Sequence, residues 1–232
     1  METERPEQLA KYQRLLKEKF VKVGLGEFFD REILELIFSY SRPRKKNTRL
    51  AESLLAYYGS FKNIIDTSLT ELVAYPGLDG HSAILLNLVK EGAEFYLENK
   101  CIKQNAFKCW DDIVSYCRIS MEGLKEEHFK AIFLDSNNKV LSIETIHEGT
   151  IDRAIIYPRA IIRKALLNNA RNLILVHNHP SGNPTPSVDD TRMTEELINA
   201  TRSIDIEIID HLIIGDNKIF SFRDSGLLFK IQ

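Results

Sequence analysis

Two different hydrophobic rhythms run along this chain. Through roughly the first hundred positions, apolar residues recur three and four apart, the spacing that puts them on one face of a helix. The stretches "PEQLAKYQRLLKEKF" and "DREILELIFSYS" both follow it. In the second, Asp30 is placed to cap the helix, with Ile33, Leu34 and Ile37 on the buried face. "TRLAESLLAYYG" predicts a helix ending at Gly59, and "SLTELVAY" one opened by a capping box of Ser68 and Glu71. "PGLDG" then breaks the chain before a long amphipathic helix, "HSAILLNLVKEGAEFYLENK".

The texture changes between residues 102 and 110. "HFKAIFLDSNNKVLSIETIHEG" holds two strand-like runs joined by "DSNN", whose Asp and Asn residues suit a turn, and predicts a β-hairpin. "YPRAIIRKALLNNARN" is helical, "LILVHNH" a buried strand, "SVDDTRMTEELINATRSI" a helix, and "IEIIDHLIIGDNKIFSF" supplies two more strands. The expected organisation is an all-helical domain over residues 1–104, followed over 105–232 by an α/β (α+β) domain in which helices flank a mixed sheet.

At 232 residues the chain exceeds the usual size of one domain, in keeping with two. No apolar run approaches the ~18 residues that span a bilayer, so no membrane segment is expected. "METERPEQLAKYQRLLKEKF" is charged throughout and lacks the apolar core of a secretory signal, which places the protein in the cytoplasm as an expectation. Cys101, Cys109 and Cys117, eight apart, match neither a disulfide framework nor a metal knuckle and read as reduced thiols. With a formal charge of −2 there is no global basic field, and nucleic-acid binding would need a local patch.

The candidate chemistry lies in "LVHNHPSGNPTPSVDD", residues 175–190. The apolar run stops at His177, and residues i and i+2 of a strand share a face, so His177 and His179 can aim at one point. Pro180, Pro184 and Pro186 remove ladder donors and Gly182 favours a turn, so the chain must fold over before the next helix and bring Asp190 near the histidines. Two histidines and a carboxylate with an open fourth position is the arrangement of a catalytic zinc, where an activated water hydrolyses a polarised carbonyl. Asp190 reads equally well as part of a capping motif that starts at Ser187.

The whole string "HNHPSGNPTPSVDD" resembles the signature of the bacterial RadC family, whose C-terminal domain is of the JAMM or MPN metallopeptidase-like class. The likeness extends through "HEGTID", "YPRAIIRKALLNNARNLILVHNHPSG" and "IIDHLIIGDNKIFSF". It implies a fold similar to cytidine deaminases, Zn2+ on His177, His179 and Asp190, and Ser187 assisting the tetrahedral intermediate. It also implies a glutamate as general base, for which Glu127 at the start of the first strand is the candidate and Glu126 and Glu144 the competitors. A peptide or protein substrate, cut at an amide bond, follows from the same resemblance. The zinc-deaminase alternative wants H-x-E with a later P-C-x-x-C, and neither occurs. Ala160 departs from the pattern, standing where the family commonly has a glutamate after Pro-Arg. His211, ahead of an apolar run, reads either as a support behind the metal ligands or as a packed histidine, with the packed reading favoured, and His81, His128 and His147 read as surface residues.

"LVAYPGLDGHSAILL" resembles a degenerate helix-hairpin-helix, which RadC proteins carry in their N-terminal region. That motif offers backbone N–H groups at a helix N-terminus to a DNA phosphate. Gly77 fits it, Asp79 replaces the second glycine, and the basic run containing Arg44, Lys45 and Lys46 could touch phosphates. DNA binding with a scaffolding role in repair is therefore the alternative expectation.

Overall fold

A computed structural model describes residues 6–43, 47–149 and 158–231. The chain divides into two compact units, Met1–Gly92 and Ala93–Gln232. The first contains α1 (Pro6–Val23), α2 (Asp30–Ser41), α3 (Thr48–Tyr58), α4 (Phe61–Asp66), α5 (Leu69–Ala74) and the start of α6 (Gly80–Cys101), within which the division falls. Its core gathers Leu34 and Phe38 of α2, Ala51 and Leu54 of α3, Ile64, Leu72 and Leu86, all fully buried.

Two local details differ from expectation. Phe29, in extended conformation, takes the N-cap of α2, so Asp30 is its first helical residue and does not cap it. The Asp30 carboxylate instead accepts the N–H of Phe61, 2.7 Å away, and Glu32 reaches back to the N–H of Phe29 at 3.0 Å. The buried stripe of α2 is Leu34, Leu36 and Phe38, with Ile33 and Ile37 half-buried beside it. By contrast α3 ends at Gly59 with φ +88°, a backbone conformation glycine adopts without strain, and Ser68 caps α5 by accepting from the N–H of Glu71.

The second unit is an α+β domain. It holds α7 (Trp110–Met121), β1 (His128–Leu134), β2 (Val140–Glu148), α8 (Pro158–Leu167), β3 (Asn172–Asn178), α9 (Val188–Arg202), β4 (Glu207–Gly215), β5 (Lys218–Ser221) and α10 (Leu227–Ile231). The sheet order is β2-β1-β3-β4-β5, with β3 and β4 parallel and the other pairs antiparallel. β1 and β2 form the hairpin expected at "DSNN": Asp135 Oδ1 accepts the N–H groups of Asn137 and Lys139 while Asn138 takes φ +58°. The two predicted helices and the predicted strands from residue 158 onward all form, and α7 and α10 are additions.

Period-two alternation sorts the strand residues into two cores. Phe129, Ala131, Phe133, Leu173, Leu175 and Ile213 pack with Ile161 and Ala165 of α8, Leu197 and Ile198 of α9 and Leu228 of α10. Ile132, Leu134, Ile174, Val176, Leu212 and Ile214 pack on the opposite face with Ile113, Tyr116 and Cys117 of α7. The sheet is thus covered on both faces, which is what a parallel pair at its centre requires. Among the described residues no helix is long and apolar enough to cross a membrane. Cys101, Cys109 and Cys117 are free thiols.

Candidate metal centre

The centre is built at the carboxyl end of β3, where the chain leaves the sheet and returns as α9. His177 pairs with Phe129 of β1 on one side and Ile213 of β4 on the other. By alternation its ring falls on the face of Leu173 and Leu175, the face that α9 covers. His179 lies just past the strand, yet its N–H still donates to the carbonyl of Ile214 at 2.9 Å. The following turn is tied down by Gly182 N–H to His179 O and Asp216 N–H to Gly182 O, both 2.9 Å, with Gly182 at φ +76°. Ser187 then caps α9, and its hydroxyl and N–H both donate to Asp190 Oδ2 at 2.7 Å while its Oγ accepts the N–H of Asp190 at 3.0 Å.

These constraints bring three ligand-type atoms together. His177 Nε2 lies 3.0 Å from His179 Nε2 and 3.2 Å from Asp190 Oδ1, and His179 Nε2 lies 3.3 Å from Asp190 Oδ2. His177 is buried, and His179 and Asp190 are half-buried. The hydrogen bond with Asp190 raises the pKa of His179 above its ordinary value, with a smaller contribution from Glu127. Burial works against ionisation of Asp190, but its contacts with His177, His179 and Ser187 favour the carboxylate more strongly and hold the carboxyl well below the usual range. The site therefore concentrates negative potential where the three side chains meet.

That arrangement suits a cation. The Nδ1 of His179 stands 2.7 Å from the carbonyl oxygen of Asn183, which can only accept, so Nδ1 carries the proton and Nε2 offers a lone pair to the cluster. A carboxylate and imidazole lone pairs crowded to about 3 Å repel one another unless positive charge sits among them, and two nitrogens with one oxygen is a donor set zinc accepts. Asp190 is both ligand-type residue and cap, so the two readings of it are compatible: one oxygen serves Ser187 and both face the histidines.

The other site residues fall as follows. Glu127 is exposed and immediately precedes β1. Its neighbours are clamped by Asn178, whose Oδ1 accepts the N–H of His128 at 2.8 Å and whose Nδ2 donates to Glu126 O at 3.0 Å. Glu144 is engaged elsewhere, accepting from Lys164 Nζ at 2.7 Å and Asn168 Nδ2 at 2.6 Å. The Ser187 hydroxyl proton is directed at Asp190 and not into open space. His211 is not merely packed: its Nε2 lies 2.8 Å from His177 Nδ1 and its Nδ1 lies 2.8 Å from Thr194 Oγ1. Burial holds the pKa of His211 well below its ordinary value. Asn178 and Thr194 carry no motif and were invisible in the pattern; the one available signal was a threonine four residues beyond Asp190, on the same side of the helix. His81 is exposed, whereas His128 and His147 are half-buried. Ala160 is exposed in the first turn of α8.

At the hairpin-like turn of the first unit, Gly77 has φ +88°. Asp79 Oδ1 accepts the N–H of Ser82 at 3.0 Å, and Asp79 Oδ2 pairs with Arg42 Nε at 3.2 Å. The carboxylate thus covers the helix N-terminus where a phosphate would sit, and the guanidinium also donates to Gly77 O. Arg44, Lys45 and Lys46 lie outside the described residues.

A mixed sheet clad by helices, with H-x-H at the end of a strand and an aspartate in the first turn of the next helix, defines a JAMM-like domain. The profile of the RadC-like JAB domain family matches residues 107–227, and the chain belongs to that family. It is similar over most of its length to UPF0758 proteins. One from Rhodobacter capsulatus is 34% identical over 214 residues, 92% of this chain and 100% of that protein. One from Ruegeria pomeroyi is 33% identical over 223 residues, 96% of this chain and 100% of that protein. One from Pseudoalteromonas translucida is 32% identical over 212 residues, 91% of this chain and 95% of that protein.

Proposed function

We propose that the protein is a zinc-dependent hydrolase of the JAMM class that cleaves an amide bond in a peptide or protein, with isopeptide bonds included. The observation that carries this reading is the convergence of His177 Nε2, His179 Nε2 and the Asp190 carboxylate. These three would hold the ion. Zinc held there supplies an activated water and polarises the scissile carbonyl. Glu127, exposed immediately before β1, serves as the base that takes the proton. Ser187 orients Asp190 through its hydroxyl, and assisting an oxyanion would require it to release that bond.

The test has two stages. Elemental analysis of the purified protein is expected to find stoichiometric zinc in the wild type and none in His179→Ala or Asp190→Ala, with thermal melting showing the variants folded. A panel of peptide and isopeptide substrates then follows, with Glu127→Gln expected to retain zinc and lose roughly 10²–10⁴-fold in turnover, the range of a general base. Zinc-free wild type after incubation with the metal, or full turnover in Glu127→Gln, would overturn the respective assignment.

A further inference from the structure

We propose that Thr194 and His211 are positioning residues for the metal, forming a hydrogen-bonded relay from the main chain of Asp190 to His177 that keeps the Nε2 lone pair of His177 turned into the site. The proposal rests on the metal reading above and adds the two residues that make it work.

The argument is an accounting of protons. Thr194 Oγ1 lies 2.6 Å from the carbonyl oxygen of Asp190, one helical turn earlier. A carbonyl oxygen only accepts, so the hydroxyl proton of Thr194 points there. The hydroxyl then has only lone pairs left for its other neighbour, His211 Nδ1 at 2.8 Å, which must carry a proton. His211 and Thr194 are both fully buried, and an imidazolium between a hydroxyl and a second imidazole would be desolvated with no carboxylate among the described residues hydrogen-bonded to its ring, so the ring is neutral. A neutral ring protonated at Nδ1 has a bare Nε2. That atom faces His177 Nδ1 at 2.8 Å and so accepts its proton. His177 is left with a bare Nε2, the atom 3.2 Å from Asp190 and 3.0 Å from His179 Nε2.

The ring planes are held as well. His211 stacks on Phe222 at 4.7 Å between centroids and 23° between planes, and His177 lies parallel to Phe129 at 6.0 Å and 11°. A relay that begins at Asp190 and ends at His177 closes a loop through two ligand residues carried on different elements, α9 and β3. Shifting either would strain the other. Partners of this kind fix the tautomer of a metal-ligating histidine and raise its basicity.

The experiment uses the full chain and zinc itself, with affinity read by competition against a chromophoric chelator. Thr194→Val preserves shape and removes the hydroxyl; it is expected to weaken zinc binding about 10–100-fold, while Thr194→Ser stays close to wild type. Melting of the zinc-free proteins checks that each is folded. Nitrogen NMR of the zinc-free wild type should show His211 protonated at Nδ1 and bare at Nε2. Equal zinc affinity in folded Thr194→Val, or a His211 proton on Nε2, overturns the relay. Wild type that takes up no zinc would sink the metal reading itself, and the His211 spectrum would still decide whether the proton order is right. Zinc binding with no hydrolysis of any substrate would leave the relay standing and remove only the catalytic assignment.

Discussion

One methyl group in the turn after His179 is enough to test how tightly the centre is held. A Cβ at Gly182 would run onto the Asp216 carboxylate, and at φ +76° any L side chain is strained. A Cβ at Gly215 would meet the carbonyl oxygen of Gly182 and lie 2.7 Å from Pro184 Cδ. The Asp216 side chain can rotate away, whereas the backbone oxygen and the proline ring cannot. Gly215→Ala is therefore expected to lower the melting temperature more than Gly182→Ala, with each costing about 1–3 kcal/mol. Thermal melts of the two variants decide it, and the reverse order would mean that the backbone at 182 yields more readily than the geometry implies. At this scale the sequence exposed His177, His179 and Asp190, because strand alternation and a turn-forming string act within a few residues. It did not expose Asn178 or Thr194, and it offered His211 as a support for the metal only as the less favoured reading, without its partners, because these lie across the fold: Asn178 reaches a residue 50 positions away and His211 one 34 away.

The elements differ in how clearly they announced themselves for a related reason. The buried stripe of α7 is Ile113, Tyr116, Cys117, Ser120 and Met121, an ideal helical spacing written partly in polar residues, so its hydrophobic signal is diluted. α4, with six residues, is too short for any period to show. The strands were legible because Leu173 to Val176 is apolar on both faces and both faces are covered. Asn178, at the end of that strand, is 1% exposed and extends the ladder with its side-chain amide, holding the start of β1 on either side of Glu127. Asn178→Leu would remove the side-chain acceptor of the His128 N–H and one donor to the Glu126 carbonyl, each bond being worth about 0.5–1.5 kcal/mol. Faster amide exchange at His128, with zinc still bound, is the expected result; unchanged exchange would show that the clamp does not hold this strand end. On the hairpin, the bond from Lys164 to Glu144 depresses the carboxyl pKa, helped by Asn168. A depressed folded-state pKa contributes stability that is complete above the ordinary carboxylate range and is lost as pH falls through the folded value. Urea denaturation should therefore find Glu144→Gln less stable than wild type at pH 7, by less than about 1 kcal/mol for so exposed a pair, with the gap closing in acid. A gap that widens in acid would reverse the sign of the argument.

For the molecule as a whole, periodicity and packing mark its organisation at different places. The hydrophobic rhythm changes where α6 ends, whereas Leu97 and Cys101 near the end of that helix already pack in the second unit's core, so the compact units divide after Gly92. All three cysteines lie in the second unit, which makes them reporters of its opening alone. Burial pushes the thiols of Cys101 and Cys117 up to about 12 and raises that of Cys109 less far. A thiol reagent attacks the thiolate, so Cys101 and Cys117 should react only in molecules whose second unit has opened. A metal that binds the folded unit shifts that equilibrium by mass action: at a free concentration of 100 Kd the opened population falls about 100-fold. Labelling of Cys101 and Cys117 in the native chain, followed by mass spectrometry, should therefore slow by about that factor when zinc is added. His179→Ala should show no slowing, because its site can no longer hold the ion. Part of the effect is offset by zinc captured on thiols of the opened chain, which makes the factor an upper bound and leaves its sign unchanged. Equal slowing in His179→Ala would mean that zinc acts somewhere other than the end of β3, and labelling indifferent to zinc in the wild type would mean that the centre contributes nothing to holding this unit closed.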